Sequence, residues 1–280
     1  MAINFKLLFQ QTGKLFLYYA MELRGLYWRL PFNRKKIFNL KIFPGHIIQY
    51  AGKGDIAEIV YKNAVLLGLK KSFEYSTLQL FSTILKAGDV IIDVGANSGL
   101  YSIFYSKLVG PSGVVHAFEP DTETFSLLQQ NLKLNDCKNV VTHNFALSNK
   151  ESRVEMVSFK QPALKLQSGD SFKYIKEVSI NELSTTGSKM NAFKMDEIRE
   201  LKSIAKIDCI KIDVEGAELL VLQGSVDTIL KHKPIIIVEL SGEWTKRFNY
   251  KPYQVLVFLN DLGYEMEEYD FQQWIARPVK

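Results

Sequence analysis

Cysteine and histidine are scarce in this chain of 280 residues, with two of the first and four of the second. Cys137 and Cys209 cannot make a disulfide framework, and no Cys/His group has the spacing of metal ligands, so no metal site is assigned. A disulfide-stapled secreted scaffold and a zinc module are both excluded, and a reducing, cytoplasmic setting is expected. Cys209 lies in an apolar strand pattern and reads as core filler. A long hydrophobic run is also missing. The longest uncharged apolar stretch, residues 15–21, falls far short of the ~20 residues a spanning helix needs. No small-residue cleavage site follows it, so no secretory signal is expected. The Gly-Lys-Ser/Thr of a phosphate-gripping loop is absent. There is no internal repeat.

What is present suits a globular protein with a sizeable core, since 47% of the residues are apolar. The net charge of +5 is unevenly placed. Residues 1–50 carry eight Lys/Arg against Glu22 alone, a local +7, which leaves −2 on the rest. No nucleic-acid partner is expected. Phe5, Phe9, Phe16, Tyr18, Tyr19, Tyr27, Trp28 and Phe32 interleave with the N-terminal cations. Residues 1–41 therefore read as a basic, aromatic helical extension, and residues 42–280 as the main domain. Two readings of the extension stand. Residues 1–36 lie on an anionic membrane as interfacial helices, or they pack on their own domain or on a partner chain, a homodimer included.

The stretch that carries most information is Asp93-Val94-Gly95-Ala96-Asn97-Ser98-Gly99. The apolar run Val90-Ile91-Ile92 before it reads as a buried parallel strand, and the segment after it as a helix. A glycine turn between them lets backbone approach a ligand and aims the helix's amides at it. Glu119 follows Gly99 by 20 residues, after a second apolar run. An acid there can hold ribose hydroxyls. A dinucleotide turn shows Gly-x-Gly-x-x-Gly because pyrophosphate must lie on bare backbone. Here Asp93 and Asn97 occupy the turn, and a carboxylate repels phosphate while attracting ammonium or sulfonium. That pattern favours S-adenosylmethionine, which has ribose and two cationic groups but no phosphate.

Three blocks resemble the FkbM-type S-adenosylmethionine-dependent methyltransferases: DVGANSGL from Asp93, HAFEP from His116 with Leu127 and Asn131 beyond it, and IKIDVEGAE from Ile210, followed by Leu222-Gln223-Gly224 and IIIVEL from Ile235. The resemblance spans roughly residues 75–245. It implies a class I, Rossmann-like α/β methyltransferase whose mostly parallel sheet ends in a C-terminal hairpin with one antiparallel strand. It implies a small-molecule, glycan or lipid-linked acceptor, with O-methylation by in-line transfer.

The chain pattern agrees with an α/β fold. Short strand-like runs over residues 37–72 lead into a helix near 74–85. Strands are then expected near 89–94, 114–118, 139–143, 208–213 and 234–240, and helices near 99–108, 121–134, 195–205, 216–230 and 252–262. Residues 264–269 and 271–277 read as a terminal hairpin. Residues 149–194 interrupt the alternation, as a lid over the site or as an exposed edge hairpin.

Ligands in open α/β sheets bind beyond the carboxyl ends of the strands, and each expected central strand ends in a polar group there. Gly95, Asn97 and Gly99 would form the floor of the site, and Glu119 would be an exposed ribose contact. Asn144, with the backbone of Phe145 and Ala146, would meet the edge and face of adenine. Asp93 and Asp213 would lie nearest the ammonium and sulfonium. Glu215 and Glu239 would border the methyl path, one of them positioning or deprotonating the acceptor. Phe145 reads equally well as core, and Asp213, Glu215 and Glu239 would alternatively hold a divalent cation. Lys211 is expected in an ion pair with a nearby acid, since a buried lysine needs a partner. His116 reads as core. Two rival functions remain from sequence: a catalytically silent scaffold docked through the basic N-terminus, and a nicotinamide-dependent oxidoreductase.

Overall fold

The computed structural model describes residues 37–43, 46–51, 75–159, 172–177 and 189–279. The expected N-terminal extension up to residue 36, with its membrane, packing and dimer readings, lies outside them. The chain divides at Ile37/Phe38 rather than at the expected 41/42. Residues 38–41 already belong to a strand, β1 (Ile37–Phe43), which forms a two-stranded sheet with β2 (His46–Ala51).

The helix α1 (Tyr75–Ile84) leads into alternating strands and helices: β3 (Val90–Val94), α2 (Leu100–Val109), β4 (Val114–Phe118), α3 (Thr122–Leu134) and β5 (Val140–His143). The insertion holds β6 (Ala146–Leu147), β7 (Ser152–Phe159), β8 (Phe172–Glu177) and β9 (Lys189–Phe193). Then follow α4 (Arg199–Lys202), β10 (Cys209–Ile212), α5 (Glu218–Gln223), α6 (Val226–His232), β11 (Ile235–Glu239), α7 (Gly242–Thr245), α8 (Pro252–Asp261), β12 (Tyr264–Asp270) and β13 (Gln273–Pro278). Seven strands make the main sheet in the order β12-β13-β11-β10-β3-β4-β5. The five strands from β11 to β5 are parallel, β13 runs antiparallel to β11, and β12 antiparallel to β13. The chain steps outward through β3, β4 and β5, then returns to β10 on the other side of β3. That reversal sets a topological switch point between β3 and β10, where such sheets bind ligands.

Branched apolar residues explain the central strands. Ile91, Ile92, Val94, Ile210, Ile212, Ile236, Ile237 and Val238 are all buried, as strands covered on both faces must be. Asp121 starts α3 by accepting from the Thr124 amide at 2.9 Å, an N-cap bond worth about 1 kcal/mol. The side-chain amides of Asn131 and Asn135 on α3 mimic a strand edge. They pair with both backbone groups of Ala51 (2.7 and 3.2 Å) and of Gln49 (3.0 and 2.6 Å), which fixes β2 on the domain.

Two expected helices are shorter than their apolar periodicity suggests. The stretch 195–205 becomes a 3-10 turn over Met195–Glu197 and the single turn α4. The stretch 216–230 splits into α5 and α6 at Gly224-Ser225, where Ser225 Oγ turns back onto the Val221 carbonyl at 2.6 Å. The insertion is more than a simple hairpin: its described residues form a four-stranded sheet in the order β6-β9-β7-β8. Val154, Ile175, Met190 and Ala192 pack there with Ala217, and Val214, Leu220 and Phe248 lie against them. The insertion therefore rests on the segment that follows β10.

Candidate active site

Two turns and three strand tips build the site. The first turn follows β3. Gly95 has φ 84°, and a Cβ there would stand 1.9 Å from the Asp213 carbonyl oxygen. Gly99 has φ 94°, and its Cβ would lie 2.7 Å from Leu128 Cδ1 on α3. Both positions thus demand glycine for close packing as well as for backbone conformation. All five amides of the turn already have acceptors. Gly95 and Ala96 donate to the Phe118 carbonyl (3.0 and 2.9 Å), and Gly99 to the Ala96 carbonyl (3.0 Å). Asn97 N donates to Glu119 Oε2 (2.9 Å), and Ser98 N to Asn97 Oδ1 (2.7 Å). The turn's own amides are therefore all engaged by protein acceptors. Ser98 also meets the buried Tyr50 hydroxyl of β2 through its own hydroxyl.

Glu119 is buried rather than exposed. Its two oxygens accept from the Asn97 and Asp121 amides, each at 2.9 Å, so it braces the turn. A carboxylate offers about four acceptor positions in all. Asn144 is exposed at the β5 tip and donates to the carbonyls of Glu119 (2.9 Å) and Pro120 (3.1 Å), which ties the second and third strand ends together. Phe145 is half-buried and meets Phe118 and Phe193 edge-on, with centroids 5.6 and 5.1 Å apart. Ala146 lies in β6 and in the core under the insertion. Those two side chains are thus packing residues first.

Asp93 is 0% exposed. Its Oδ2 accepts from Ser102 Oγ of α2 at 2.6 Å, while its Oδ1 is buried without a hydrogen-bond partner. Burial raises its pKa, and Asp213 adds to the rise, whereas Lys211 and the Ser102 bond oppose it. Lys211, on β10, is 3% exposed. Its Nζ bonds Asp213 Oδ2 at 2.8 Å and sits 4.5 Å from the centre of the Tyr101 ring. The expected ion pair is present.

The second turn follows β10. Glu215 stands at φ 56°, uncommon for a residue with a side chain. Its Oε2 is buried without a hydrogen-bond partner. Burial, then Asp213 and Glu218, push its pKa up to about 9 against the pull of Arg247 and Lys211. Glu218, which the sequence reading assigned no role, clamps this turn. Its Oε1 accepts from Gly216 N at 2.9 Å, and its Oε2 lies 2.9 Å from the Tyr250 hydroxyl. That hydroxyl also reaches the Gly216 carbonyl at 2.7 Å. A Glu two residues beyond a glycine at a helix start was the available signal. Glu239 is half-buried at the tip of β11, in register with Gln273. Among the described residues no three His, Cys, Asp or Glu side chains come together as metal ligands. His116 is buried, with Nδ1 3.2 Å from His143 Nε2, as a core residue should be.

These residues suit a cationic nucleoside better than a dinucleotide. No amide of the first turn is left for pyrophosphate, and an unpartnered carboxyl oxygen, Asp93 Oδ1, calls for a donor. Comparison with known proteins decides the family. The family model for the methyltransferase FkbM domain matches residues 93–266, more than half of the chain. The chain belongs to the FkbM methyltransferase family.

Among curated FkbM relatives, 31-O-demethyl-FK506 methyltransferase FkbM of Streptomyces tacrolimicus is 30% identical over 164 residues, covering 51% of this chain and 62% of that protein. Methyltransferase 1 of Beauveria bassiana is 28% identical over 159 residues, 54% of this chain and 64% of that protein. The hexuronic acid methyltransferase AglP of Haloferax volcanii is 27% identical over 168 residues, 60% of this chain and 62% of that protein. The matches thus span just under two thirds of these relatives. A solved FkbM methyltransferase from Methylobacillus flagellatus aligns with a TM-score of 0.46 at 18% identity, over 72% of this chain and 47% of that one.

Proposed function

We propose that this chain transfers a methyl group from S-adenosylmethionine to a hydroxyl of a small-molecule, glycan or lipid-linked acceptor. The observation that carries the reading is the contrast at the carboxyl edge of β3. The turn amides are all spent, while the Asp93 carboxyl keeps a buried oxygen open to a donor. When bound, S-adenosylmethionine supplies a methyl group already activated on a sulfonium. The protein's task is then alignment and exclusion of water. Glu119 takes the ribose hydroxyls. Asp93 and Asp213 face the cationic groups, and Lys211 holds Asp213 in place. Glu215 and Glu239 border the acceptor side, where a carboxylate within hydrogen-bond reach would take the hydroxyl proton. Glu215 serves as that base once its proton is lost, and until then it is a hydrogen-bond donor. An oxygen acceptor is supported by one relative's name, 31-O-demethyl-FK506 methyltransferase, and a glycan acceptor by another's, hexuronic acid methyltransferase. No helix among the described residues is long and apolar enough to cross a membrane.

Calorimetric titration with S-adenosylmethionine, S-adenosylhomocysteine and NAD tests the cofactor. The first two are expected to bind, NAD not, and Glu119→Ala to weaken S-adenosylmethionine by about tenfold or more. Binding of NAD alone overturns the reading. Methyl-labelled cofactor incubated with a cell extract tests the acceptor, since label recovered on nitrogen or carbon rather than oxygen refutes the hydroxyl.

A further inference from the structure

We propose that Tyr50 of β2 is a positioning residue for the cofactor: acting through Ser98 and Asn97, it holds the Glu119 carboxylate in place for the ribose hydroxyls. The inference rests on the S-adenosylmethionine reading. It extends the cofactor site to the β1–β2 ribbon, which precedes the residues 93–266 matched by the family model.

A chain of hydrogen bonds carries the effect. Tyr50 and Ser98 are both buried, and their hydroxyls meet. Ser98 Oγ donates to Asn97 Oδ1 at 3.1 Å. A serine hydroxyl has one hydrogen. With that hydrogen on Asn97, the Tyr50 hydroxyl is the donor to Ser98 Oγ. Asn97 Oδ1 accepts a second bond, from Ser98 N at 2.7 Å, and Asn97 N donates to Glu119 Oε2 at 2.9 Å. Asn97 stands at φ 50°, an uncommon conformation for a residue with a side chain. Its two side-chain bonds to Ser98 hold it there, with its amide on Glu119. A second link runs beside the first. The buried Asn131 of α3 donates to the Ala51 carbonyl at 3.2 Å and to the Ser98 carbonyl at 2.8 Å, while its Oδ1 accepts from the Ala51 amide at 2.7 Å. The ribbon and the cofactor turn are thus joined at two neighbouring ribbon residues. Phenylalanine would fill the same space as Tyr50, so what tyrosine adds is its bond to the turn. Removing that hydroxyl leaves the buried Ser98 Oγ short of a donor and frees it to turn away from Asn97.

The test is titration calorimetry of the full chain with S-adenosylhomocysteine and with its 2′-deoxy analogue, which lacks one ribose hydroxyl. The parent protein should bind the first more tightly. Tyr50→Phe is expected to weaken S-adenosylhomocysteine by about threefold to tenfold and the deoxy analogue by less, so that the gap between the two ligands narrows. A tyrosine that only supported the fold would weaken both alike, because its effect and that of the hydroxyl would simply add. Equal loss with both ligands, or loss with neither, overturns the inference and leaves the cofactor reading intact. So does a parent that binds both ligands equally, since Glu119 then makes no such ribose contact. Should Tyr50→Phe not fold, Ser98→Ala breaks the same chain at its next link and is judged by the same narrowing. A parent that binds neither ligand sinks the cofactor reading as well.

Discussion

The two turns at the switch point treat their polar groups in opposite ways. In residues 93–99 Gly95, Asn97 and Gly99 adopt positive φ, and every amide from Gly95 to Gly99 has a protein acceptor. In residues 213–217 Glu215 and Gly216 adopt positive φ, and the buried Glu215 Oε2 has no hydrogen-bond partner. The first turn is closed by the Phe118 carbonyl and the Glu119 carboxylate at the tip of β4. The second is held by Glu218 and Tyr250. The difference suggests a division of labour. A turn that spends its donors internally shapes a surface, whereas a turn held in a costly conformation by neighbours presents an unsatisfied group for chemistry. The Gly95 contact links the two, because the Asp213 carbonyl lies where a Gly95 side chain would be.

The largest effect is expected from Gly95→Ala. The new Cβ would stand 1.9 Å from the Asp213 carbonyl, at a φ that alanine resists, so both turns must move. A loss of about 3–5 kcal/mol is expected, seen as a fall of roughly 10 °C or more in thermal unfolding. A fall of a degree or two would show that the turns are not pressed together. Tyr250→Phe should come next. It removes the hydroxyl that joins the Gly216 carbonyl and Glu218 Oε2, at a cost of about 1–3 kcal/mol. Because the loss falls on the second turn, turnover should drop further than cofactor affinity. Equal drops in both would mean that the clamp serves the whole site and not one turn.

The contrast between the turns was only half legible in the sequence. The central strands, the polar group at each strand tip and the hairpin are legible because branched apolar runs of the right length mark the strands and their ends, and the burial of those runs is decided locally. The Lys211–Asp213 pair follows from the cost of a buried lysine. The burial of Asp93 was not legible, because it depends on Ser102 from α2 and Lys211 from a distant strand arriving together. Glu119 looked exposed for the same reason, since its partners are backbone amides and leave no mark on residue identity. The break at Gly224-Ser225 was hidden by an apolar period that runs on through it. The four-stranded insertion was hidden because one of its members, β6, is only two residues long.

The smallest effect, and the one that most directly separates the two turns, concerns Glu215. Burial lifts its pKa from 4.5 to about 9 in the folded state. The native protein thus holds a proton that the unfolded chain gives up above about pH 4.5. Stability from this group is present in full below that value and is lost as pH rises toward 9. Glu218, raised to about 7, contributes in the same sense over a narrower window. Glu215→Gln keeps the shape and removes the titration. Without ligand, the variant should match the parent near pH 5 and exceed it by a margin that grows as pH rises toward 8.5, read as a rising difference in unfolding midpoint. Parallel stability profiles from pH 5 to 9 would mean that the Glu215 carboxyl is already compensated, and that the second turn is as closed as the first.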